Sequence, residues 1–195
     1  MLFGAHTGGL ELRKGEGGAT LLRATFPYGQ VAVLSPGGRS GPARSEVFAP
    51  RAFADRITRG EDVHFLASHD YAKPLASRSA GTLRLTDTEA ALIIEADISA
   101  DMAAVSYVAD FLASHAAGLV RGLSPGFRVA DTAGAEVITG QDGALLRTIR
   151  SAQLFEVSAV TVPAYPAAQI EARNWTPGGE ARDAGVFRSL NRWRL

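Results

Sequence analysis

Cysteine is absent from this chain of 195 residues. Its absence excludes disulfide bonds, a thiol nucleophile and metal sites built from thiolates, and it is compatible with a reducing compartment. Lysine is scarce, since Lys14 and Lys73 are the only two, and arginine supplies the other basic residues. We attribute this excess of arginine to coding bias and not to phosphate recognition.

The chain also lacks an excess of charge of either sign and a long apolar run. Its 20 basic residues equal its 20 acidic ones, so no net field is expected to attract nucleic acid or an anionic membrane. No apolar run reaches the roughly 20 residues that span a bilayer. The first residues show no basic region followed by an apolar stretch, so secretion is not predicted.

The usual signatures of a metal or cofactor site are missing too. No His-x-x-x-His pair occurs, and His64 and His69 stand five residues apart on a predicted strand. The glycine-rich stretches 15–18 and 37–41 do not have the strand–loop–helix layout of a phosphate loop. We therefore predict no metal and no cofactor.

The chain length and the glycine distribution predict one folded domain with two loose ends. Residues 1–18 are rich in glycine and are expected to be flexible. Residues 19–170 carry the patterned segments and form the predicted domain. Residues 171–195 are weakly patterned and read as a tail, with a short helix at 186–193.

Most patterned segments favour strands, with two helices inserted among them. One helix is predicted from Pro50 to Gly60, and a longer one over 101–117 with Ser99 or Asp101 as its cap. Polar, glycine-containing loops are predicted at 35–45 and 131–143. This order indicates an α+β domain built on an antiparallel sheet or barrel. The predicted strands are 19–26, 30–34, 63–67, 82–85, 91–96, 119–129, 144–150 and 153–162.

Residues 122–126 match the pattern Gly-x-Ser-x-Gly, with Ser124 at its centre. An α/β-hydrolase elbow is excluded because the residue after its nucleophile must donate a backbone N–H, and Pro125 has none. All four histidines also precede Ser124, whereas the histidine of that fold follows its serine. On the motif alone we favour a structural interpretation, a strand whose flanking glycines lie at a bulge.

His69 is the histidine best placed for chemistry, because it ends an apolar strand and is followed by Asp70. A lone histidine is more often a capping or loop residue. His64 should face away from His69 on an extended segment. We expect His115 to face solvent on its helix, and His6 lies in the loose terminus.

Glu156 is unusual because its neighbours are nearly all apolar or small. A carboxylate in a buried strand is costly unless it is paired, and a histidine that becomes charged during catalysis would be a suitable partner. Alternation along the strand equally allows Glu156 to lie on its solvent-exposed face. Spacing alone does not decide between these two interpretations.

Four segments in order resemble the prohead proteases of tailed phages: 46–53, 69–83, 122–127 and 154–168. They are similar to that family's "E-x-F-x-P-G-A-F" opening, its histidine block, its "G-x-S-x-G-F" serine block and its closing "L-x-E-V-S-x-V-x-x-P-A-x-P-x-A". Each segment alone is weak, and the four together are specific. Arg51 departs from the pattern, since it replaces the usual glycine before Ala-Phe.

The resemblance implies a serine endopeptidase related in fold to the herpesvirus assemblins, an antiparallel β-barrel-like core with flanking helices. Such enzymes act inside the immature capsid, here in the cytoplasm of a bacterial host. They cleave the scaffold or the delta region of the major capsid protein, and often themselves. Assemblin-like enzymes often form dimers, so self-association is possible for this chain. No pattern of residues in the sequence specifies a dimer interface.

The family's roles carry onto Ser124 as nucleophile and His69 as general base. Glu156 is our choice for the third member, although assemblins use a second histidine there, and Asp70 is the alternative. The backbone of 147–150 is our prediction for the oxyanion hole. Two other functions stay open, namely a non-enzymatic capsid-assembly or scaffolding module and an unrelated small esterase.

Overall fold

The computed structural model describes residues 10–14, 19–38, 41–141 and 143–161. The predicted tail at 171–195, its helix at 186–193 and His6 lie outside these residues. The described strands are β1 (Leu10–Lys14), β2 (Thr20–Pro27), β3 (Ala32–Ser35), β4 (Ala43–Phe48), β5 (His64–Ala67), β6 (Pro74–Ser77), β7 (Leu83–Asp87), β8 (Ala91–Ile98), β9 (Gly122–Val129), β10 (Glu136–Gln141), β11 (Ala144–Ile149) and β12 (Ala152–Val160). The described helices are α1 (Ala54–Thr58), α2 (Ala100–Ala103) and α3 (Ser106–Ala116).

The described strands form three four-stranded sheets, which confirms the α+β class. Their orders are β1-β2-β8-β7, β10-β11-β4-β3 and β6-β5-β12-β9. None of these sheets closes on itself, so within the described residues the barrel-like core and the likeness to the herpesvirus enzymes are not confirmed. Most of the described strand pairs are antiparallel, as predicted, but β11 runs parallel to β4 and β12 runs parallel to β5.

Four phenylalanines join the three sheets in the core. Phe48 of β4 has its ring centroid 5.4 Å from that of Phe26 in β2 and 5.0 Å from that of Phe127 in β9. Phe53, just before α1, is fully buried and lies 5.0 Å from Phe48. Each edge-to-face pair contributes about 0.5–1.5 kcal/mol beyond area burial. This cluster fixes β9 against the rest of the molecule.

The single helix predicted at 101–117 is two helices, and that prediction is wrong. The hydroxyl of Ser99 accepts a hydrogen bond from the amide of Met102, so the predicted cap of the first helix is confirmed. Val105 then leaves the helical conformation, with φ −69° and ψ 133°. A β-branched residue has a lower helix propensity, and the break lets α3 bury Val108 and Phe111 while α2 buries no residue.

Three described strands fall in segments that we predicted as loose or looped. β1 lies within 1–18, β4 begins inside 35–45 and β10 lies within 131–143. β1 and β10 are edge strands, and an edge strand can be polar because part of its surface meets water. Weak apolar patterning is therefore compatible with a strand at these positions.

The turn before α1 explains why the family pattern usually has glycine where this chain has Arg51. Arg51 has φ 58°, the left-handed region that glycine occupies without steric cost. The chain folds this turn with an arginine, whose side chain pairs with Glu89 at 3.6 Å.

Candidate active site

β12 is an inner strand of its sheet and sets the positions of the candidate residues. It pairs antiparallel with β9 so that Ser158 lies opposite Ser124 and Glu156 lies opposite Gly126. Directly opposed residues of neighbouring strands point to the same face. The hydroxyl groups of Ser124 and Ser158 and the carboxylate of Glu156 therefore share one face of the sheet.

His69 reaches this face through a turn at the end of β5. Ser68 and His69 have φ of 55° and 60°, a left-handed conformation that costs about 1–2 kcal/mol for each residue with a side chain. The amide of Ser68 donates to the carbonyl of Ala159 at 3.0 Å, which ties the turn to β12. The two left-handed residues interrupt the alternation of the strand, so counting along β5 does not give the direction of the imidazole.

Glu156 is buried and paired. One of its carboxylate oxygens, Oε1, lies 2.7 Å from Nδ1 of His69, and the other accepts a hydrogen bond from the hydroxyl of Ser158 at 2.6 Å. Only 4% of the residue is exposed, so the interpretation that placed it on a wet face is wrong. Because the carboxylate can only accept, it holds the imidazole in the tautomer that carries its proton on Nδ1.

Gly126 lies directly beneath this carboxylate. A Cβ atom added at Gly126 would stand 2.1 Å from Oε1 of Glu156 and 2.8 Å from its Cδ. The motif does lie in a strand beside an irregularity, since the β9–β12 register shifts between Leu154 and Glu156. The interpretation of the motif as a strand with glycines at a bulge thus describes its backbone. The Glu156 side chain supplies a further reason for glycine at position 126, because it leaves no room for a Cβ atom there.

Two buried polar atoms on this face have no hydrogen-bond partner among the described residues: Oγ of Ser124 and Nε2 of His69. Ser124 is 1% exposed. An unsatisfied buried polar group in a native protein requires an explanation, such as strain, a catalytic role or a bound water. In free enzymes the hydrogen bond between nucleophile and base is often long and shortens when the substrate binds.

Asp70, the alternative acid for orienting His69, binds other groups. Its carboxylate accepts from the amide of Ala72 at 2.9 Å and lies 3.5 Å from Nζ of Lys73. The acid that contacts His69 in the described structure is Glu156.

Residues 147–150 belong to a different sheet from Ser124, and this argues against our prediction for the oxyanion hole. β11 lies between β10 and β4 in another sheet. The amide of Arg150 donates to the carbonyl of Ala135 at 2.7 Å. An amide that is already paired in this way is not available to a developing oxyanion.

His115 and His64 have partners of their own. Nδ1 of His115 lies 2.7 Å from the carbonyl oxygen of Val120, and its ring stacks on Phe111, so this histidine is partly buried and not fully exposed to solvent. His64 pairs in register with Glu156 across the strands, and its ring lies 5.7 Å from that of Tyr71.

Tyr71 lies at the rim of this region and is 48% exposed. Partial burial, and secondarily the negative charge of Glu156, raise the pKa of its phenol. Tyr71 therefore stays neutral at physiological pH and adds no second negative charge near Glu156.

Within the described ranges, no group of three or more histidine, aspartate or glutamate side chains could hold a metal ion. In the same part of the chain, no helix is long and apolar enough to cross a bilayer.

The chain matches the family model of the caudovirus prohead serine proteases over residues 37–178. No curated protein and no solved structure matches it. The family match covers well over half of the 195 residues and spans β4 through β12, a range that includes β5, β9 and β12, which position the candidate residues. The chain therefore belongs to the caudovirus prohead serine protease family.

Proposed function

We propose that the chain is a serine endopeptidase in which Ser124 is the nucleophile, His69 the general base and Glu156 the acid that orients His69. The observation that carries the proposal is the buried contact of 2.7 Å between Nδ1 of His69 and Oε1 of Glu156. This contact reserves Nε2 of the imidazole for proton transfer. Ser124 stands on the same face, opposite a residue that binds both of the other two groups.

The proposed reaction follows from these positions. Oγ of Ser124 attacks the scissile carbonyl carbon as its proton passes to Nε2 of His69, and Glu156 stabilises the imidazolium that forms. His69 then gives that proton to the leaving amine as the C–N bond breaks. Water hydrolyses the acyl-enzyme with His69 again acting as base, which restores the hydroxyl of Ser124.

The proposed substrates are the scaffold or the delta region of the major capsid protein, and the enzyme itself. Membership of a prohead protease family supports a capsid precursor as substrate. We place the enzyme inside the immature capsid, in the cytoplasm of the host. A relation in fold to the herpesvirus assemblins remains part of this proposal, and its support is the resemblance of the four sequence segments.

The direct test is the replacement of Ser124 by alanine. Cleavage of a co-expressed capsid precursor should be lost, because the other hydroxyl on this face, that of Ser158, is already bonded to the amide of His69 and the carboxylate of Glu156. The melting temperature should stay close to that of the wild type. A fluorophosphonate probe should label the wild type at Ser124, as mapped by peptide mass spectrometry. Ser79→Ala is the matched control, since that hydroxyl is exposed, donates to Asp62 and takes no part in the hydrogen bonds that join His69, Glu156 and Ser158.

Each alternative gives a different result in this experiment. Cleavage retained by Ser124→Ala, or labelling of another serine, would remove Ser124 from its role. A folded wild type that neither reacts with the probe nor cleaves the precursor would favour the assembly module. Hydrolysis of short acyl esters without cleavage of the precursor would favour the esterase.

A methyl group at Gly126 tests the role of the carboxylate beneath the imidazole. In Gly126→Ala, the new Cβ would stand 2.1 Å from Oε1 of Glu156, so the carboxylate must shift from the position in which it contacts His69. We expect kcat to fall about 10²-fold, the usual cost of a displacement of about 1 Å in an active site, with a small change in melting temperature. Steady-state kinetics on a capsid-derived peptide would measure the loss.

Gly140→Ala is the control for that substitution. A Cβ at Gly140 would meet the side chain of Leu145 at 3.6 Å, an ordinary contact, in another strand. Its kcat should equal that of the wild type. Equal rates for Gly126→Ala and Gly140→Ala would show that the position of Glu156 does not limit the reaction.

A further inference from the structure

We propose that Ser158 is a positioning residue for the reaction, whose hydroxyl fixes the base and the acid together. The inference rests on the proposed function and deepens it, since the family pattern gives Ser158 no role. Ser158 is fully buried at the centre of the face that carries Ser124.

The hydrogen bonds of the Ser158 hydroxyl have only one possible direction. The backbone N–H of His69 can only donate, so Oγ of Ser158 accepts at 2.9 Å. The carboxylate of Glu156 can only accept, so the hydroxyl proton points to Oε2 at 2.6 Å. One hydroxyl therefore binds the main chain of the base and the side chain of the acid at once.

This link holds a turn that the backbone alone disfavours. Ser68 and His69 are both left-handed, and such residues persist only where the surroundings hold them. Two hydrogen bonds tie their amides to β12, from Ser68 to the carbonyl of Ala159 and from His69 to Oγ of Ser158. The second bond depends on a side chain, so a substitution at position 158 removes it without changing the backbone.

The same residue also sets the distance between the base and the nucleophile. Ser158 lies directly opposite Ser124 in the β9–β12 pairing, so the main chain of His69 is tied to the residue that faces the nucleophile. Without the hydroxyl, the imidazole and the carboxylate can each shift relative to Ser124. The expected defect is in the chemical step and not in the binding of the peptide.

Ser158→Ala tests this role. We expect kcat on a capsid-derived peptide to fall about 10²-fold with KM nearly unchanged, because displacement of a reacting group by about 1 Å has an effect of this size. The rate at which a fluorophosphonate labels Ser124 should fall in parallel, since this rate reports activation of the nucleophile. Ser158→Cys, which nearly conserves volume but has a weaker donor and acceptor, should show a smaller loss.

Val157→Ala is the control for a merely structural effect. Val157 is the neighbouring buried residue of β12, and its truncation should lower the melting temperature without changing the labelling rate of the folded protein. Should Ser158→Ala not fold, Ser158→Cys decides the question. Wild-type labelling rates in every Ser158 variant that folds would overturn the inference. A wild type that is itself never labelled would instead overturn the proposed function.

Discussion

Replacing Glu156 by glutamine should lower kcat about 10⁴-fold, with little change in KM or stability. The amide has nearly the shape of the carboxylate but carries no charge, so it cannot stabilise an imidazolium on His69. The two ends of the amide also differ, since one is an oxygen and the other an NH2 group. Whichever end meets His69, the other meets Ser158, and the end that carries hydrogens no longer accepts a hydrogen bond there. Single-turnover acylation on a capsid-derived peptide would measure the loss, and thermal unfolding would check the fold.

Asp70→Asn is the matched control, since Asp70 is the other acid next to His69. Its carboxylate binds the amide of Ala72 and lies near Lys73, so its neutralisation should leave kcat within a few-fold of the wild type. If Asp70→Asn instead lost activity while Glu156→Gln kept it, the assignment of the orienting acid would be reversed.

The sequence predicted the three candidate residues but not their geometry. Motif resemblance marked His69, Ser124 and Glu156 because their residue types and order carry that information. The spatial relation depends on the parallel β5–β12 pairing and on two left-handed residues, and neither follows from local pattern. Ser158 was missed for this reason, although its position two residues after Glu156 on a strand predicts a shared face.

The fold was predicted where each segment had a clear local signal. The strands β2, β7, β8, β9, β11 and β12 alternate or are strongly apolar, and their predicted positions agree with the structure to within a few residues. The failures have physical causes. The break at Val105 depends on how α3 packs on the core, and β10 is a polar edge strand that its pairing with β11 stabilises.

Arg147→Met should cause a large loss of stability, about 3–5 kcal/mol in the free energy of unfolding. Arg147 in β11 is buried, with its side chain 4% exposed, and bonds Glu46 at 3.0 Å and Glu136 at 2.7 Å. It thereby joins three neighbouring strands, because Glu46 lies in β4 and Glu136 in β10. Its removal would leave the nearly buried carboxylate of Glu46 without this cation. Urea denaturation of the folded protein would measure the effect.

Two further variants separate the ion pair from other causes. Adding Glu46→Gln to Arg147→Met should recover part of the loss, because the double variant no longer buries the negative charge that Arg147 had faced. Arg84→Met removes a pair of similar length, 2.7 Å to Asp97, in which both side chains are about half exposed. Since exposed ion pairs contribute little, its urea midpoint should stay near that of the wild type. Equal midpoints for Arg147→Met and Arg84→Met would contradict the prediction.

The Arg147 variant also distinguishes stability from chemistry. Arg147 lies in the sheet that meets β9 through Phe48 and Phe127, whereas His69, Glu156 and Ser158 are held by hydrogen bonds among themselves. At a temperature well below its unfolding transition, Arg147→Met should therefore label Ser124 with fluorophosphonate at the wild-type rate, although it unfolds at lower urea. A labelling rate that fell with stability would mean that the site depends on this sheet for its geometry.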